Sequence, residues 1–198
     1  LVAYNLINQT DVAGYFSYVR DVVLTKNGGS GNQPDTPDTP DGTFDVSGTS
    51  NGFDFVDLGL SVNWAVSNLG ASTPLGSGWY YAWGEIDSKN DYSWDTYVFG
   101  NPTSGFVKYN DGDGLLVLEP SEDAATYNMG GNWRMPTYEE MEELRSQCSW
   151  TWASIDGVNG YLVTGPSNKT LFLPKSGYYD GTELLIYGTH GLYWTSSL

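Results

Sequence analysis

Apolar and polar positions along this chain change period several times, and the changes mark out its elements. In "YFSYVRDVVLTK" (residues 15–26) Phe16, Tyr18, Arg20, Val22 and Leu24 share one face of a period-two pattern, and "LVAYNLI" at 1–7 reads as a second strand, with a loop between them. "NGGSGNQPDTPDTPDG" then carries no periodicity: its Gly/Ser half is flexible and its Pro/Asp half favours extended polyproline II, which makes 27–43 a linker. From 44 onward short apolar runs between glycines predict strands at 53–58, 61–66, 79–84, 106–109, 161–164, 170–174, 184–187 and 192–197. A helical period occurs twice. Thr137 with Glu140 forms a capping box after Pro136, and Tyr138, Met141, Leu144 and Cys148 fall on one stripe, with Glu139, Glu140, Glu142 and Glu143 on a solvated face. A shorter helix is expected in "PSEDAATYNMGG", with Ser121 or Asp123 near its start and Gly130 or Gly131 at its end. Few helices among many short strands predict an α+β domain.

Composition narrows the function. The chain has 198 residues, of which 24 are acidic and 8 basic, for a formal charge of −16. A field of that sign repels phosphate backbones, so nucleic acid is an unsuitable partner, whereas neutral ligands such as glycans are compatible. No stretch reaches the ~18 apolar residues of a membrane helix, so no membrane insertion of this segment is expected. Cys148 is the sole cysteine and leaves no zinc-type spacing.

Seven stretches occur together and in order: "FVDLGLSVNWAVSNLGA", "YYAWGEI", "EDAATYNMGGNWRMPTYEEMEEL", "CSWTW", "GVNGYLVTGP", "LFLPKSGY" and "GLYWTSS". In these the chain resembles the Fibrobacter succinogenes major paralogous domain family of Bacteroidetes surface proteins, over about residues 53–198. "WRMPTYEEMEEL" is also similar to a signature of formylglycine-generating enzymes. Both resemblances imply a C-type-lectin-like fold. Family members run on from the "YWSSS" motif through a strand like "AYNL" to one like "SVRPV", and here "VAYNL" and "YVRDV" stand at 2–6 and 18–22 instead. The resemblance therefore implies a circularly permuted order in which 1–26 completes the C-terminal part of a domain whose main body is 44–198. It would be a monomer if permuted, and a strand-swapped oligomer if 1–26 closes a preceding module. Asp21, where the family has proline, departs from the pattern.

For chemistry, formylglycine-generating enzymes hold copper on two cysteines, and one cysteine cannot do so; no catalytic residues are expected. His190 is the only histidine, and neither Ser196 nor Ser197 lies in a nucleophile-elbow pattern. No cofactor is expected. Calcium, used by many C-type lectins, has weak candidate ligands in Asp111 and Asp113 of "NDGDG", which read more simply as a Gly/Asp turn.

The remaining signal is aromatic. Trp64, Trp83, Trp133, Trp150 and Trp194 read as core, but adjacent residues in a strand face opposite ways, so neither Tyr80–Tyr81 nor Tyr178–Tyr179 is expected to bury both of its rings. Exposed Tyr among Asn, Ser, Asp and Gly is paratope-like chemistry. The resemblance places ligand surfaces in the late loops, which here means 178–193 with the loop 8–18. Within these the expected ligand-binding residues are Tyr179, Tyr187, His190, Tyr193, Tyr15, Tyr18 and Asn8. The expectation is a non-catalytic, cell-surface, adhesin-like module exported by a Bacteroidetes bacterium or its phage, recognising a glycan or a host or bacterial surface protein. The alternatives are a structural module of a surface lipoprotein or pilus tip, or a retroelement-diversified binding protein.

Overall fold

A computed structural model describes residues 44–198 together with the backbone of Asn5–Leu6. The architecture is mixed α+β, with short antiparallel strands and few helices. In chain order the strands are β1 (Asn5–Leu6), β2 (Gly48–Ser50), β3 (Phe53–Val56), β4 (Trp64–Ala65), β5 (Gly100–Asn101), β6 (Gly105–Phe106), β7 (Ser149–Ile155), β8 (Val158–Thr164), β9 (Thr170–Pro174), β10 (Tyr178–Asp180), β11 (Glu183–Leu185) and β12 (Tyr193–Trp194). Helices α1 (Ala124–Met129) and α2 (Tyr138–Gln147) stand between β6 and β7. Among the described residues no helix is long and apolar enough to cross a membrane.

Two antiparallel sheets carry most of the body, β2-β3-β4 and β7-β8-β9. Each is opened by a two-residue hairpin turn with both residues at positive φ, Asn51–Gly52 (48° and 83°) and Asp156–Gly157 (48° and 80°). Such turns twist the chain in the sense that flanking strands need. At the sheet centre Gly160 leaves room for the Phe172 ring, since a Cβ there would lie 2.4 Å from Phe172 Cζ.

Both helices are fixed by their caps. The Asp123 carboxylate accepts from Thr126 N and Met135 N, joining the start of α1 to the segment before α2, and Gly130 ends α1 at φ 63°. Thr137 caps α2 in a complete capping box with Glu140. Glu140 also takes the Arg134 guanidinium in a two-point ion pair, Glu143 accepts from Ser61, and Glu142 pairs with Arg145. The helix carboxylates are thus working polar contacts as well as a wetted face.

The core has two parts. One gathers Tyr81, Ala124, Ala125, Met129, Trp133, Met135 and Trp194; the other gathers Leu58, Trp64, Met141, Leu144, Val163, Leu171, Leu173 and Tyr193. Tyr193 and Trp194 are sequence neighbours on β12, so their side chains leave opposite faces of the strand and enter different parts. Residues from the far end of the chain pair with this wall: Asn5 lies opposite Trp194 and Leu6 opposite Tyr193, antiparallel. Indole N–H groups are tied to carbonyls, Trp133 to Ser50 at 2.9 Å, Trp194 to Tyr81 at 3.1 Å and Trp83 to Thr195 at 2.8 Å, so the large rings also fix loop positions.

Several strand expectations need revising. No strand covers 79–84, where aromatic side chains in an irregular segment carry the packing. The expected runs at 61–66, 106–109 and 192–197 shrink to two-residue pairings because turn residues interrupt the ladders. Conversely β7 is seven residues long and was not expected as a strand. The linker at 27–43 and the strand expected at 15–26 lie outside the described residues.

Candidate functional site

The most distinctive surface is built around the stretch Pro174–Gly177, which leaves β9 and serves as a backbone floor for the turn 186–190. Gly188 N donates to Lys175 O at 2.8 Å, Gly177 N donates to His190 O at 2.8 Å, and Asn159 Nδ2 donates to Gly188 O at 3.1 Å. The turn is closed internally by Thr189 N and His190 N, both donating to Ile186 O at 3.1 Å. Gly177 is required for the close approach: at φ 66°, a Cβ on it would sit 2.2 Å from Leu185 O and 2.8 Å from Tyr187 N. Held from both sides, Ile186 adopts φ 48°. A β-branched residue in this left-handed region costs roughly 1–3 kcal/mol relative to an unstrained one, so the surrounding bonds impose the conformation.

Three half-buried or buried tyrosines form a group joined to this floor through Ser176. Tyr179, on β10, meets Tyr80 edge-to-face with centroids 4.8 Å apart and stacks on Tyr92 at 5.4 Å. Tyr80 Oη donates to Ser176 O at 2.7 Å, and Tyr92 Oη donates to Tyr80 O at 2.5 Å. Burial, joined by the neighbouring hydroxyls of Tyr179, Tyr187 and Tyr92, pushes the Tyr80 phenol up to about 12 against an opposing bond from Ser77. Burial raises the Tyr92 phenol as well, so Tyr80 and Tyr92 are neutral, oriented hydrogen-bonding groups across the physiological range.

Trp152 of β7 and Tyr161 of β8 meet edge-to-face at 6.0 Å, and the buried Lys175 ammonium lies 4.0 Å from the Trp152 ring centre and 5.2 Å from that of Tyr161. Trp152 keeps part of its ring in solvent. Cation and ring hold each other, which fixes the indole orientation.

The expected ligand-binding residues divide accordingly. Tyr187 is 56% exposed at the head of the turn, Tyr179 is half-buried beside it, and His190 is half-buried with Nδ1 3.1 Å from Thr189 Oγ1. Tyr193 is corrected: it is 4% exposed, its ring lies in the core, and its hydroxyl donates to Pro174 O at 2.6 Å. Its alternation with Trp194 decides this, since both flank a wall buried on both faces. Asn8, Tyr15 and Tyr18 lie outside the described residues. Ser196 Oγ donates to Pro136 O, and Ser197 Oγ accepts from Tyr138 N, so both serines are engaged away from His190.

Asp113 Oδ1 accepts from Leu115 N at 2.9 Å and Oδ2 from Asn110 N at 3.2 Å, which closes the 110–115 turn and holds its carboxyl below the usual range. Asp111 is exposed. The nearby Glu119 and Glu122 both bind Lys108, and Glu122 also takes the Tyr109 hydroxyl. Among the described residues no group of three or more His, Cys, Asp or Glu side chains gathers at a position suited to a metal ion.

Leu184, Ile186 and Trp152 join the exposed large side chains here, and sequence reasoning did not select them. Trp152 was within reach: "SWTWASIDGVNGYLVT" places Asp-Gly between two aromatic, β-branched runs, the signature of a tight hairpin. Ile186 carries no local signal, because nothing in its neighbours announces positive φ. Comparison with family models, with curated proteins and with solved structures returns no match.

Proposed function

We propose that this chain is a non-catalytic ligand-binding module with a C-type-lectin-like fold, displayed outside a bacterial cell, that recognises a glycan or a protein through the surface around 178–190. The observation that carries this reading is the turn 186–190: a strained backbone, clamped from both sides, that turns Tyr187 outward beside the Tyr179–Tyr80–Tyr92 group. Rigid rings with oriented hydroxyls lose little entropy when a ligand settles on them, which is the physical use of tyrosine in recognition. The engagement of Ser196 and Ser197 with backbone groups remote from His190 supports the non-catalytic part of the reading. An array of glycans and purified extracellular proteins, probed with and without calcium, tests it. Binding that is lost in Tyr187→Ala and Tyr179→Ala while the melting temperature of Tyr187→Ala stays at the parental value is the expected result. Absence of any tyrosine-dependent binding sinks the reading and favours a structural module of a surface assembly.

A further inference from the structure

Resting on that reading, we infer that the ligand is a protein surface, an apolar patch ringed by basic side chains, and that Ile186 and Tyr187 are the anchors that enter it. Three exposed large residues crown the site, Leu184 at 39%, Ile186 at 41% and Tyr187 at 56%, and two of them are aliphatic. A sugar is gripped by flat ring faces and by groups that exchange hydrogen bonds with hydroxyls; a branched aliphatic side chain offers neither. It does fit an apolar depression on a protein, where desolvating it contributes binding free energy.

The backbone points the same way. Left-handed φ is free for glycine and easy for asparagine, yet the chain places isoleucine there, on a turn whose bonds force the strain. Stability alone disfavours that residue there, so its presence fits a side chain needed at the surface.

Charge complementarity fixes the rim. Asp180 and Glu183 face each other across β10 and β11, both exposed, next to Leu184. Asp91 Oδ1 reaches to 3.9 Å from the Cβ position of Gly181, at the tip of the same hairpin. The nearby Lys89 is held by Glu85 at 2.8 Å, and the whole chain carries −16. A second copy of this chain brings the same charge to the contact and is repelled, while a rim of Lys and Arg on the partner is attracted.

The test uses the intact chain and a phage-displayed random-peptide library, depleted on Ile186→Asn and selected on the parent, with a glycan array run in parallel. Asparagine accepts the left-handed backbone and removes the aliphatic anchor, so the variant folds. The expected outcome is a consensus of aliphatic or aromatic residues flanked by Lys or Arg. The resynthesised peptide binds the parent at least about tenfold more tightly than it binds Ile186→Asn or Tyr187→Ala, and its affinity falls as salt is raised. A consensus without basic residues, or equal affinity for the parent and Ile186→Asn, overturns the inference. Tyrosine-dependent glycan binding with no peptide consensus overturns it too but leaves the ligand-binding reading standing; failure of both arms removes both.

Discussion

Two segments of this molecule are pinned by similar means and put to opposite use. Residues 133–147 are tied inward: the Trp133 indole bonds Ser50 O, Arg134 grips Glu140, and the capping box closes the first turn of α2. Residues 177–190 are tied by main-chain bonds, yet three of their large side chains, Leu184, Ile186 and Tyr187, are left exposed to water. Rigidity in the first segment buries apolar area and stabilises the fold. In the second it displays apolar area, an arrangement that stabilises nothing until something covers it.

This contrast is open to attack by substitution. The largest expected effect is Trp133→Ala, which empties a site 1% exposed at the middle of the first core cluster and should cost about 3–5 kcal/mol in denaturant unfolding. Next is Gly177→Ala, where positive φ and the 2.2 Å approach to Leu185 O oppose a Cβ. A loss of about 1–3 kcal/mol is expected, together with faster amide exchange at Gly188 and His190 as the turn comes away from its floor. If Gly177→Ala left exchange in the turn unchanged, the idea of an imposed conformation would fail.

Glu140→Ala should cost about 1–2 kcal/mol at neutral pH, because it removes the cap partner of Thr137 N and the carboxylate that pairs with Arg134. Burial opposes charge on Glu140, but the Arg134 guanidinium and the Thr137 N–H outweigh it and hold its carboxyl below the ordinary value. A depressed carboxyl stabilises the fold above its unfolded value and loses that contribution as pH falls through the folded one. The parent and Glu140→Ala stability curves should therefore converge on acidification. Tyrosine gives the alkaline counterpart. Burial raises the Tyr80 and Tyr109 phenols from 10.0 to about 12 each. Stability that is complete below the unfolded value should be lost as pH climbs from about 10 to about 12, with tyrosinate absorbance and loss of circular dichroism rising together. The smallest effect on stability belongs to Tyr187→Ala, within about 0.5 kcal/mol, against a large loss of binding.

How far these two regions could be read from sequence follows the same division. Both helices were legible, since capping residues act over three or four positions and leave a local signature: Thr137 and Glu140 occupy the places that the pattern assigns them, and the structure selects Asp123 over Ser121 and Gly130 over Gly131 at the ends of α1. β8 and β9 were legible from their apolar runs. The irregular aromatic stretch at 79–84 was misread as a strand because ring packing there depends on partners a hundred residues away, such as Ser176 for Tyr80 and Trp194 for Tyr81. Tyr187 stood out as a tyrosine in the late loops, whereas Ile186 owes its conformation to Lys175 and Gly177, and distant backbone bonds write nothing into the local sequence.

Cys148, the sole cysteine, stands at the junction where α2 ends and β7 begins, half-buried against the second core cluster. Burial, reinforced by Glu143, raises its thiol above the ordinary value, so alkylating reagents should meet little thiolate while the junction stays shut. Labelling kinetics at this one sulfur would then serve as a clock for breathing of the interior, read without any engineered probe.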